Sequence, residues 1–153
     1  MNTKLRNRIL IVAGIILVAV LGSVFVNIGM EWFNSLRVPT QWIPNELIPI
    51  VWSVIYLTFA IILWRMESEG LIDKKLYVLI IINGILNVLW CLIFFTLNQT
   101  LGGLIFIIFN LIFAYVLVSE IFKKKYVYGL IVSIYPIWVS VATALNLALW
   151  ILN

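Results

Sequence analysis

Five apolar stretches, each about twenty residues long and free of charge through their middles, constrain this chain more than any other feature. The run from Ile9 to Ile28 shows the pattern most plainly, because no acidic or basic side chain interrupts it. At a rise of ~1.5 Å per residue, such a run covers the ~30 Å hydrocarbon core of a bilayer. Comparable runs at 47–63, 76–97, 101–119 and 127–152 predict four more membrane helices. Composition agrees, with 65% hydrophobic and 10% charged residues against ~45–50% and ~25% in soluble domains. The expectation is an all-α membrane protein, a five-transmembrane-helix bundle forming a single unit over 1–153. Function must then sit in or beside the bilayer.

The basic residues orient the bundle. Lys4, Arg6, Arg8, Arg65, Lys74, Lys75, Lys123, Lys124 and Lys125 fall on one side of the predicted topology, and only Arg37 of the ten falls on the other. Positive-inside bias therefore predicts a cytoplasmic N-terminus and an external C-terminus. The leading basic residues resemble the start of a signal peptide, but the apolar run is too long and lacks a small-residue cleavage site, so it reads as an uncleaved span. Without an Arg- and Ser-rich leader, a bacterial cell membrane is expected. The net charge of +4 is spread among loops rather than gathered on one face, so nucleic acid is not an expected partner. The run Lys123–Lys125 reads as an interfacial anchor or as a site for anionic lipid or a partner.

Loop lengths carry further information. Only Asn98, Gln99 and Thr100 join the third and fourth spans, which must be antiparallel neighbours. The first loop, 29–46, is long, rich in tryptophan and proline and poor in charge, which predicts a lid folded over the bundle end.

Several chemistries are absent. The lone Cys91 can make no internal disulfide and reads as a small buried hydrophobe, and no metal site is expected. With no histidine, the commonest haem-iron ligand and the usual neutral-pH base are missing. Glu46, Arg65 and Glu120 fall at span ends, and no ionisable residue lies near the middle of a span, which disfavours an ion-coupled pump.

What the spans do carry is amide and indole. Asn83, Asn87, Trp90 and Phe94 recur at intervals of four, three and four, along one face of the third helix. Tyr135, Trp138, Ala142 and Asn146 repeat the pattern on the fifth, Trp52, Tyr56 and Phe59 on the second, and Asn110 adds an amide to the fourth. Lipid cannot satisfy an amide, so these faces should point inward, to pair with other helices or with a bound molecule. Trp32, Trp42, Trp64 and Trp150 fit an interfacial belt. Trp90 and Trp138 lie deeper and predict a pocket with flat aromatic walls and a few polar points, suited to a large planar ligand. Gly14 and Gly22, with Ala19 and Ser23, permit close helix approach, within one bundle or between two copies.

The run Trp32-Phe33-Asn34-Ser35-Leu36, followed by Pro39, Trp42, Pro44, Trp52 and Tyr56, resembles the first loop and second helix of the translocator protein family, TspO/MBR, the tryptophan-rich sensory proteins. Asn87, Trp90, Phe94 and Phe95 resemble its Asn-x-x-Trp-x-x-x-Phe-Phe segment, and Tyr135, Trp138, Ala142, Leu145 and Asn146 its fifth-helix signature. Two departures stand out. Pro39-Thr40-Gln41-Trp42 carries one extra residue and Trp42 to Trp52 one fewer, and the fifth helix has Tyr135-Pro136 where the family has Pro-Tyr. Ala144 to Asn153 lacks the basic residue of the animal members' cholesterol motif, so cholesterol is not implied.

The resemblance implies a ligand cavity open toward the first loop, commonly in a homodimer. It implies binding of protoporphyrin-type tetrapyrroles and isoquinoline carboxamides, with light- and oxygen-dependent porphyrin breakdown in some bacterial members. No further cofactor is required. Trp52 and Trp138 correspond to the tryptophans held responsible for breakdown. The expected ligand contacts are Trp42, Trp52, Tyr56, Asn83, Asn87, Trp90, Phe94, Tyr135, Trp138 and Ala142. A porphyrin receptor or scavenger leads, with a carrier of porphyrin or lipid-like molecules and a sensory membrane subunit as alternatives.

Overall fold

The computed structural model describes residues 3–40 and 43–153, which form helices joined by short connections. Helix α1 covers Thr3–Ser35, α2 Leu47–Ser68, and α3 Lys74–Cys91. A wider π-helical turn, Leu92–Thr96, continues α3. Helix α4 is Thr100–Lys124, and the last span divides into α5, Tyr126–Val132, and α6, Ile134–Leu152. Five of these units are long and apolar enough to cross a membrane, as expected. In the packing order, α1 lies between α2 and α3, α4 packs on α3 and α6, and α5 and α6 close the ring against α2.

Local chemistry sets the boundaries. Asp73 caps α3 by accepting from the Leu76 amide at 2.9 Å. Gly70, at φ 71°, turns the chain out of α2, and its amide bonds the Glu67 carbonyl at 3.2 Å. Asn98, at φ 55°, makes the tight reversal between α3 and α4, a conformation asparagine tolerates better than most residues. The division of the last span follows from Pro136. It has no amide hydrogen to give the Val132 carbonyl, and the ladder tightens locally to a three-residue turn, the Ser133 amide donating to the Leu130 carbonyl at 3.3 Å.

The first loop is shorter than expected. Residues 29–35 continue α1, leaving 36–46 as the connection. Glu31 and Asn34 end the hydrophobic run without ending the helix, and the chain leaves helical geometry only ahead of Pro39. Gly29, expected at the start of the loop, is buried where α1 crosses the π turn, and a Cβ there would overlap the Phe95 backbone. Thr96 fastens this crossing by donating to the Phe25 carbonyl at 3.1 Å. The loop is tied to the far end of the chain, since Asn153 accepts from the Arg37 amide at 2.9 Å and donates to its carbonyl at 3.1 Å.

At the opposite, lysine-rich end, the second and fourth loops are clamped together. Lys125 reaches Glu69 at 2.8 Å, Tyr128 donates to the same carboxylate at 2.5 Å, and Lys124 reaches Asp73 at 2.5 Å. Lys75 and Lys123 share Glu120 at 3.0 and 2.6 Å. All three residues of the lysine run are thus engaged within the protein. The lysines hold the Glu69 and Asp73 carboxyls below the ordinary carboxylate range, and Glu69 in turn raises Lys125.

Candidate functional site: a filled aromatic end and a hollow lysine-rich end

The three predicted inward faces do turn inward. Asn83, Asn87, Trp90 and Phe94 are buried along α3, Tyr135, Ala142 and Asn146 along α6, and Asn110 is fully enclosed on α4. Their polar atoms find one another across helices. Tyr56 donates to Asn87 at 3.1 Å, Tyr135 to Asn110 at 3.0 Å, and the Trp90 indole to Asn146 at 3.3 Å. Asn83 donates to the Leu79 and Phe113 carbonyls, with its own oxygen 3.4 Å from the Tyr135 hydroxyl. Within a membrane such bonds contribute ~0.6 kcal/mol each on average, so their larger consequence is to fix which faces meet. The Asn110 amide nitrogen and the Trp138 indole nitrogen are buried without a partner.

The aromatic residues form a continuous stack. Trp52 lies 5.8 Å from Tyr56, 6.0 Å from Trp90 and 6.4 Å from Tyr135, ring centre to ring centre. Trp90 continues to Phe94 at 6.4 Å, and Trp32 meets Phe94 edge-on at 5.5 Å, which makes this indole a packing element as well as an interfacial one. The π turn presents Phe94 and Phe95 side by side at 4.8 Å, both buried.

These residues border two unlike spaces. At the first-loop end, Trp52, Trp90, Phe94, Trp138 and Ala142 surround a void of only about 40 Å³, together with Phe33 and Asn146. Toward the lysine-rich end lies a cavity of about 610 Å³ between α1, α2 and α3, walled by Tyr56, Phe59, Asn83, Asn87 and Tyr135 on its inner side. The resemblance implies a cavity opening toward the first loop. The structure differs, because the aromatic rings and the extended α1 fill that end, while the other end is hollow beside Gly14. A Cβ at Gly14 would meet nothing within 4 Å. Gly22 faces inward too, where a Cβ would touch the Cys91 sulfur at 3.5 Å, and Cys91 is buried as expected.

The expected site therefore divides. Tyr56, Asn83, Asn87 and Tyr135 share the large cavity, Trp52, Trp90, Phe94, Trp138 and Ala142 share the small one, and Trp42 lies outside the described residues. Asn7 and Tyr77 also line the large cavity and were not anticipated. Their signal is periodicity carried past the expected span ends, since Asn7, Ile11, Gly14 and Val18 recur at four, three and four along α1.

The sequence also matches known proteins. Residues 10–151 match the TspO/MBR family. Protein CrtK of Rhodobacter capsulatus is 31% identical over 126 residues, covering 80% of this chain and 78% of its own. The tryptophan-rich protein TspO of Chlorobaculum tepidum is 26% identical over 100% of this chain and 99% of its own. The protein of the same description from Archaeoglobus fulgidus is 28% identical over 96% and 99%.

Proposed function

The chain belongs to the TspO/MBR family, and from that premise we propose that it is a membrane receptor or scavenger for porphyrin-type tetrapyrroles. The observation that supports this reading is the cavity of about 610 Å³ bounded by Tyr56, Asn83, Asn87 and Tyr135. That volume is within the ~300–1,000 Å³ typical of small-molecule sites, and its lining combines apolar walls with a few convergent polar groups. A flat ring against Tyr56 would lie one aromatic spacing from Trp52, and Trp52 one more from Trp90. The same stack supports a photochemical role. An indole electron can pass to the photo-excited ring and on to dioxygen, giving an indole radical cation and superoxide, and it is the reduced oxygen that attacks and opens the ring. Trp52 adjoins Tyr56 on this path, whereas Trp138 borders the small void. In this reading the N-terminus is cytoplasmic and the C-terminus external, in a bacterial membrane, and the protein works as a homodimer.

Titration of protoporphyrin into the detergent-solubilised protein, in darkness and then under light, tests the reading. Saturable dark binding that an isoquinoline carboxamide displaces, and that Asn87→Ala weakens at least fivefold, is the expected result. Light-dependent loss of the porphyrin band should slow more in Trp52→Phe than in Trp138→Phe. Failure to saturate would overturn tetrapyrrole binding.

A further inference from the structure

We propose that the large cavity has a second, independent binding role: it admits a single-chain amphiphile sideways from the bilayer and holds its head at Asn7 and Tyr77. The cavity is not sealed from lipid. Leu10 and Leu17 of α1 and Ile81 of α3 are wall residues that are also exposed on the outer surface of the bundle, so the space opens between these two helices. An apolar cleft open to hydrocarbon accepts an alkyl chain without the cost of stripping water from it.

The chemistry at its outer end specifies the head. Asn7 donates its amide hydrogen to Glu67 at 3.0 Å, which leaves its carbonyl oxygen available as an acceptor. Glu67 is only 7% exposed, and among the described residues it makes no ion pair. Beside them the Tyr77 hydroxyl is buried without a well-formed hydrogen bond, with Glu67 and Asn7 both near enough to act on it as hydrogen-bonding groups. A carbonyl backed by a carboxylate accepts hydrogen bonds and repels anions, and the tyrosine hydroxyl beside them, with that carboxylate to donate to, offers its oxygen as a further acceptor. The geometry fits a head that donates, a hydroxyl or an ammonium, and disfavours a carboxylate. From Tyr77 to Asn87 the cleft follows roughly 15 Å of helix, and Ile80 and Gly84 lie between these polar ends on the cavity wall.

Photo-crosslinking in phosphatidylcholine nanodiscs tests this with two probes, dodecanol and dodecanoic acid, each carrying a diazirine in the chain. Dodecanol should label α1 and α3 saturably, at five or more times the yield of the acid. Gly14→Leu, which adds a side chain where there is open space, should cut the labelling at least fivefold. Tyr77→Phe, which keeps the shape and removes the hydroxyl, should cut it similarly. Labelling that rises without saturation, or that Gly14→Leu leaves unchanged, would mean only surrounding lipid and would overturn the site. Equal labelling by the acid would overturn the head assignment. The tetrapyrrole reading is tested separately, because the dark protoporphyrin titration with Asn87→Ala is a different readout, and its failure to saturate would leave saturable dodecanol labelling standing.

Discussion

The two ends of this bundle are built from the same helices with opposite packing. At the first-loop end, Phe33, Phe94 and Phe95 interlock and Gly29 lets α1 press on the backbone of the π turn, leaving about 40 Å³ empty. At the lysine-rich end, the space beside Gly14 stays open, and about 610 Å³ is left between α1, α2 and α3. Gly29 thus serves contact, and Gly14 space. Trp52, Trp90 and Trp138 likewise mark where the bundle is dense, and the polar residues of mid-depth form the boundary between the halves.

Substitutions that treat the two ends differently give the sharpest tests. Phe94→Ala, in the filled half, should cost about 3–5 kcal/mol, while Ile81→Ala, on the open wall, should cost less than about 1 kcal/mol. Thermal unfolding in one detergent compares them, and equal losses would break the contrast. Next in size, Gly29→Ala should lower stability by about 3 kcal/mol, or roughly 10 °C in Tm, because the new methyl group overlaps the Phe95 backbone. Gly14→Ala should be neutral or raise Tm slightly, since a Cβ there meets nothing and alanine favours the helix.

At the boundary, Tyr135→Phe removes the bond to Asn110 and should cost about 1 kcal/mol, the upper part of the range for polar contacts between membrane helices. The smallest effect concerns the loop clamp. Glu69 and Asp73 are held low by Lys125 and Lys124, so their contribution is present at neutral pH and is lost as pH falls below about 4. The Tm of Glu69→Gln should therefore fall less steeply between pH 6 and about pH 3 than that of the parent.

The sequence made the spans and the inward faces legible because both are periodic. Asn83, Asn87 and Trp90 declare one side of α3, and the chain keeps that side buried. The start of the first loop was not legible, since Glu31 and Asn34 interrupt hydrophobicity while the backbone continues as helix to Ser35. Nor was the cavity. Spacing shows which residues share a face, but a void arises from side chains that are missing, and Gly14 in sequence looks the same as a glycine used for contact. Asn7 and Tyr77 fell outside the expected lining because they lie at or beyond the predicted span ends, although the structure places both within helices.

The break in the hydrogen-bond ladder at Ser133 also gives the last span a mechanical character. The short α5 is anchored by Tyr128 to Glu69 and by Gly129 packed against Phe122, so it acts as a fixed base, and α6 is a lever mounted on it. From that break to Asn146 the arm is roughly 20 Å long, and a tilt of about 5° would carry Asn146 by about 2 Å. That displacement exceeds the slack in the 3.3 Å bond from Trp90. A small rotation at one residue would therefore be magnified into separation of Asn146 from the Trp90 indole at the far end.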